Sequence, residues 1–177
     1  MNKKHIFVLV LGVVTLFLLA SCSPSAEELD KQGRAHVDAG ENEQAIEAFQ
    51  KAVEEDPSFA DAYNNLGNTY RKTGQYDLAL ANLNKALELD PTHYKAYKNR
   101  GKLYAEQGEI EQALADFNRA IEIQPDYDQP YFDRALAYIE LGNLKGAAAD
   151  LEHFLELTGD AELRVQAEQN LAELQGR

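Results

Sequence analysis

One cysteine, four histidines and thirty aspartate and glutamate residues are the groups in this chain with chemistry to offer. Cys22 has no partner, so it cannot form an internal disulfide. His5 sits in a short basic stretch with Lys3 and Lys4. His93 follows Pro91 in a turn-like segment and is expected in solvent. His153 has Glu152 and Glu156 nearby but no second histidine within a helical turn, so no metal site is read there. No His-Glu-x-x-His, no glycine-rich phosphate loop and no Gly-x-Ser-x-Gly elbow occurs. The carboxylate pairs are expected on solvated helix faces. The chain therefore reads as non-enzymatic, with no cofactor and no metal.

The basic side chains are more informative. The formal net charge of −13 argues against binding nucleic acid or an anionic surface non-specifically. Within this acidic chain, the stretch from Asp61 to Ala105 holds seven cations (Arg71, Lys72, Lys85, Lys95, Lys98, Arg100, Lys102) against four acids (Asp61, Asp77, Glu88, Asp90). Asn64, Asn65, Asn68 and Asn99 are interleaved with them, and an amide side chain both donates and accepts, which suits gripping a peptide backbone.

The N-terminal segment explains the cysteine. After Lys3, Lys4 and His5, the run from Ile6 to Ala20 is apolar except for Gly12 and Thr15. This is too short for an ordinary spanning helix, which wants ~20 apolar residues, and fits a secretory signal or an uncleaved anchor. Leu19-Ala20-Ser21-Cys22 resembles the lipobox of bacterial lipoproteins. The resemblance implies a signal peptide at 1–21, a diacylglycerol on the Cys22 thiol, further acylation of the new amine, and a short tether at 22–25. Several acyl chains hold a membrane durably where one does so marginally. Ser23, where an aspartate would favour the inner membrane, implies the periplasmic side of the outer membrane in a Gram-negative cell. In a cell with one membrane it implies the outer face of the plasma membrane.

The elements that must position the polar groups follow from an internal period. Pro57, Pro91 and Pro125 are 34 residues apart. The same step links Gly33, Gly67 and Gly101; Gly40, Gly74, Gly108 and Gly142; Ala45, Ala79, Ala113 and Ala147; and Ala52, Ala86 and Ala120. Two tyrosine series, Tyr63, Tyr97, Tyr131 and Tyr70, Tyr104, Tyr138, keep it too. His36 shares the register of the second series, which points to packing. Such a period is the mark of a repeat architecture. This one resembles the tetratricopeptide repeat (TPR).

The resemblance implies an all-α fold: a right-handed superhelical solenoid of helix-turn-helix units at 26–59, 60–93, 94–127 and 128–159, closed by a capping helix and tail at 160–177. First helices are expected over about 26–39, 60–73, 94–107 and 128–141, second helices over about 42–55, 76–89, 110–123 and 144–157. Unit four departs from the pattern at Ala135, Phe154 and Gly159, as a terminal repeat often does. Arg100 and Arg134 share one place in successive units, which suggests a recurring structural role.

In this family the inner wall is lined by the first helix of each unit and holds an extended peptide or a partner's helix. Carried onto this chain, the family's pattern implies a groove formed by Asn64, Asn65, Asn68, Arg71, Lys72, Lys95, Lys98, Asn99 and Lys102, continued by an apolar ledge of Phe132, Leu136 and Ile139. An acidic or carboxylate-terminated protein segment would complement it. The expected role is a lipid-anchored scaffold or adaptor at the cell envelope, with a pilotin-like assembly chaperone for a secretin or pilus component as the alternative.

Overall fold

Four glycines direct the chain. Gly40, Gly74, Gly108 and Gly142 have φ between 74° and 77°, a left-handed conformation open to glycine at little cost. At the first, the Glu41 N–H donates to the His36 carbonyl at 2.8 Å and the Gly40 N–H to that of Val37 at 3.0 Å. This pair of bonds is a Schellman closure, which satisfies carbonyls that a helix end would leave open. It recurs at the other three glycines, from Gln75 to Tyr70, Glu109 to Tyr104 and Asn143 to Tyr138.

The computed structural model of the protein describes residues 24–176. Among them are nine helices and no strand. They are α1 (Ala26–Asp38), α2 (Asn42–Glu55), α3 (Ala60–Lys72), α4 (Tyr76–Leu89), α5 (Tyr94–Glu106), α6 (Ile110–Ile123), α7 (Gln129–Glu140), α8 (Leu144–Leu157) and α9 (Ala161–Gln175). The glycines separate α1 from α2, α3 from α4, α5 from α6 and α7 from α8. Pro57 and Pro91 fall just beyond α2 and α4, where the carboxylates of Asp56 and Asp90 accept the Ser58 and Thr92 N–H groups at 2.9 and 2.8 Å. The expected signal segment and Cys22 lie outside the described residues.

Within a unit the two helices approach closely because small residues face them. A Cβ added at Gly101 would come within 2.7 Å of the Phe117 ring and 3.2 Å of the Ala113 carbonyl oxygen. Ala45, Ala79, Ala113 and Ala147 are fully buried at the same interface, beside Phe49, Leu83, Phe117 and Leu151. Successive units stack second helix on first helix, α2 on α3, α4 on α5 and α6 on α7. The first helices also touch one another, α1 to α3 to α5 to α7. That second set of contacts gives the stack its inner wall.

The departures in unit four make a floor for the last helix. Ala135 and Phe154 are fully buried, and Phe154 packs on Phe132 at a ring separation of 5.2 Å. Helix α9 lays Leu163, Ala167, Leu171 and Leu174 on this cluster. Arg164 donates to the carbonyls of Leu155 and Thr158 at 3.0 and 2.9 Å, which caps the end of α8.

Arg100 and Arg134 act as inter-unit staples. Arg100 donates from Nε and Nη2 to the two carboxylate oxygens of Asp116, both at 2.7 Å, and from Nη1 to Asn84 Oδ1 in the preceding unit at 2.7 Å. Arg134 repeats this with Asp150 at 2.6 and 2.7 Å and Asn118 at 2.6 Å. Each guanidinium lies between two tyrosine rings, Tyr97 and Tyr104 for Arg100 and Tyr131 and Tyr138 for Arg134. Burial disfavours each charge, but the hydrogen bonds and charge of the aspartate outweigh it and hold both guanidinium groups above their usual range. Two expectations are corrected here. Carboxylates are not uniformly solvated, since Asp30, Asp116 and Asp150 are buried. His93 is buried too: Nδ1 accepts the Ala96 N–H and caps α5, so Nε2 carries the proton donated to Asp61 Oδ1 at 3.2 Å.

Candidate functional site

The inner wall carries a ladder of polar side chains that runs from unit to unit. Asn65 Nδ2 on α3 donates to Asp30 Oδ1 on α1 at 2.7 Å, and Asn99 Nδ2 on α5 donates to Asn64 Oδ1 on α3 at 2.8 Å. Asn64 Nδ2 in turn donates to Asn65 Oδ1 at 3.2 Å. Arg34 Nε completes the first rung on Asp30 Oδ2 at 3.0 Å. Each inter-helix rung joins residues 35 apart, one more than the period, because the next unit is offset along the wall. The ladder spends Asn64 and Asn99 on architecture. Both are buried, which corrects their placement as exposed groove positions. Asn99 Oδ1 is buried without a hydrogen-bond partner among the described residues.

The cations occupy the middle of the wall. Arg71 holds Asn68 Oδ1 through Nε and Nη2 at 3.2 and 3.0 Å and pairs with Glu106 on α5. Lys102 pairs with Asp133 on α7 at 3.2 Å. Lys72 and Lys95 are exposed, and Lys95 Nζ lies 5.8 Å from the centre of the Tyr94 ring. Lys98 Nζ lies 6.0 Å from the centre of the Tyr127 ring. Burial lowers the Lys98 pKa to about 8; Asp133 opposes the shift, and the charges of Lys102, Arg71 and Lys72 add to it. Burial likewise pushes the Tyr127 phenol up.

Concavities flank this stretch. A cleft of about 320 Å³ is lined by Glu27, Asp30, Arg34, Phe59, Asp61, Asn64, Asn65 and Lys95, so its floor is the first rungs of the ladder. A second hollow of about 290 Å³ holds Asn65, Asn68 and Val37. A smaller one of about 130 Å³ lies between Lys102, Gln129, Phe132, Asp133 and Leu163. The expected apolar ledge is reduced. Leu136 is exposed and Ile139 half-buried, but Phe132 is buried under α9 and contributes only an edge.

Tyr127 is a wall residue absent from the expected set, and Asp133 is the carboxylate that pairs across the wall with Lys102. A step of 35 from Lys98 reaches Asp133, as the same step links Arg71 to Glu106. Tyr127 shares a register of the 34-residue period with Phe59 and His93, a third aromatic series.

Family models described as tetratricopeptide repeat match residues 58–126 and 99–162, and one described as TPR repeat matches 33–74. Among solved structures, the chain is similar to the crystal structure of MamA, at 30% identity and a TM-score of 0.66, covering 74% of this chain and 77% of that one. It is also similar to TTC0263, a thermophilic TPR protein of Thermus thermophilus, at 25% identity and a TM-score of 0.74, covering 85% and 81%. The first TPR of Spaghetti (RPAP3), solved with the HSP90 peptide SRMEEVD, shares the fold at 23% identity and a TM-score of 0.63, covering 67% and 94%. A search of curated proteins found no match to this chain.

Proposed function

Since this chain belongs to the tetratricopeptide repeat family, we propose that it is a non-catalytic adaptor whose inner wall holds a segment of a partner protein. The observation that carries this reading is the concentration of cations on one wall of an acidic chain. Arg71, Lys72, Lys95, Lys98 and Lys102 all stand on α3 and α5, beside clefts roomy enough for a peptide. A wall of this sign attracts an acidic segment, whereas the acidic remainder of the chain repels it. A solenoid of the same fold has been solved with a peptide bound.

The same reading places the adaptor on a membrane. The Leu19-Ala20-Ser21-Cys22 pattern supports lipid attachment at Cys22, with Pro24 and Ser25 leading directly into α1. A tether this short keeps the repeats near the bilayer, at the periplasmic side of the outer membrane or the outer face of a single plasma membrane. The test is cross-linked capture from a native envelope extract, comparing the wild type with a Lys72→Glu, Lys95→Glu variant. Both side chains are exposed, so the change is expected to leave the fold intact. A dominant partner lost with the variant supports the groove; a partner retained by it moves recognition elsewhere.

A further inference from the structure

Lys98 differs from the other groove cations in what surrounds its amine. Arg71 and Lys72 face it from α3, and Lys102 lies one turn along its own helix. From α7 comes Asp133, and it is paired with Lys102 at 3.2 Å. Glu106 is held by Arg71. Tyr127, in the connection before α7, covers the amine with its ring face. Lys98 itself makes no ion pair among the described residues. A half-buried amine among three cations, with Glu106 and Asp133 engaged by Arg71 and Lys102, has no carboxylate of its own among the described residues to match its protonated form.

From this arrangement we propose that docking of a partner carboxylate against Lys98 is coupled to uptake of one proton by its amine, so that the groove grips an acidic segment less tightly as the medium turns alkaline. The inference rests on the adaptor reading of the wall and adds its regulation. The proton comes from solvent and converts the neutral amine to an ammonium as the anion arrives. In the unoccupied groove the amine titrates at about 8, burial being the first cause. A docked carboxylate supplies the missing counter-charge and raises that value. Below about 8 the amine is already charged and affinity is flat. Above it each unit of pH removes up to tenfold of affinity until the bound form also titrates.

The probe is an N-acetylated hexapeptide of alternating leucine and aspartate with a free C-terminus, whose carboxylates stay ionised from pH 7 to 9.5. Its affinity for the full chain is measured by calorimetry across that range. At pH 8.5 the titration is repeated in two buffers of different ionisation heat, which counts the protons taken up. The expected result is a fall of up to about thirtyfold between pH 7 and 9.5, with net proton uptake. Lys98→Arg, which keeps the charge and does not titrate here, should bind at pH 7 and show no fall. No binding at pH 7 overturns the groove reading and the inference with it. Binding that is flat with pH overturns the inference alone. A fall that persists in Lys98→Arg places the titrating group elsewhere.

Discussion

Removing the carboxylate of Asp116 should cost the solenoid about 3 kcal/mol, the lower end of the range for breaking a buried ion pair. The side chain of Asp116 is 8% exposed and that of Arg100 is 21% exposed, so neither charge is well hydrated. In Asp116→Ala the guanidinium keeps Asn84 as a partner but loses two charge-assisted bonds of 2.7 Å. The Tyr97 and Tyr104 rings, 5.6 and 5.9 Å from it, hinder its swing to water. The cost is therefore dominated by a stranded cation, not by lost packing. If so, Arg100→Met combined with Asp116→Leu should be within about 1 kcal/mol of the wild type, because no charge is left behind. Asn84→Ala, which removes an exposed partner in the preceding unit, should cost about 1 kcal/mol. Urea unfolding of the full chain, followed by far-UV circular dichroism and tyrosine fluorescence, measures all three. An Asp116→Ala midpoint close to the wild type, or a double variant as unstable as the sum of its singles, would refute the account.

Further outcomes are expected from the same measurements and from labelling. Gly74→Ala, at a φ of +75° with open space around it, should cost about 1 kcal/mol from backbone strain alone, visible as a lower urea midpoint at an unchanged slope. Gly101→Ala should cost about 1–2 kcal/mol, since the new methyl group meets the Phe117 ring and the Ala113 carbonyl, offset in part by the better helix propensity of alanine. Lys98→Met should stabilise the chain at pH 7 by up to about 3 kcal/mol, because a lysine titrating at about 8 when folded and near 10.4 when unfolded opposes folding wherever both states are charged. Wild-type stability should accordingly rise between pH 8 and 10.5 and meet the variant above that window. Labelled palmitate should enter the wild type and not Cys22→Ala; incorporation into the variant would remove the proposed anchor.

How much of this was legible in the sequence depends on which distance a residue must reach. Contacts inside a unit repeat at the period, so Gly101 against Phe117 and the Schellman turn at Gly108 follow from registers of glycine, alanine and aromatic residues. The recurrence of Arg100 and Arg134 marks them as structural, and their partners sixteen residues on, Asp116 and Asp150, keep the same 34-residue step. His93 was misplaced in solvent because its polarity outweighed its register. Phe59, His93 and Tyr127 are one aromatic slot, in which the imidazole both fills space and caps α5. Groove contacts are harder because they cross units, and the rungs Asn65 to Asp30 and Asn99 to Asn64 obey a step of 35 that no composition pattern announces. The family pattern named Asn64 and Asn99 as exposed, yet neighbouring first helices approach closely enough to seal them. Phe132 is lost to the wall for another reason: the bulky Phe154 stands where other units have alanine, and α9 covers both. What burial removes from the candidate set, it adds in kind at Lys98. The same closure of α5 against α7 that hides apolar surface strips water from one amine, which makes its charge conditional on what binds.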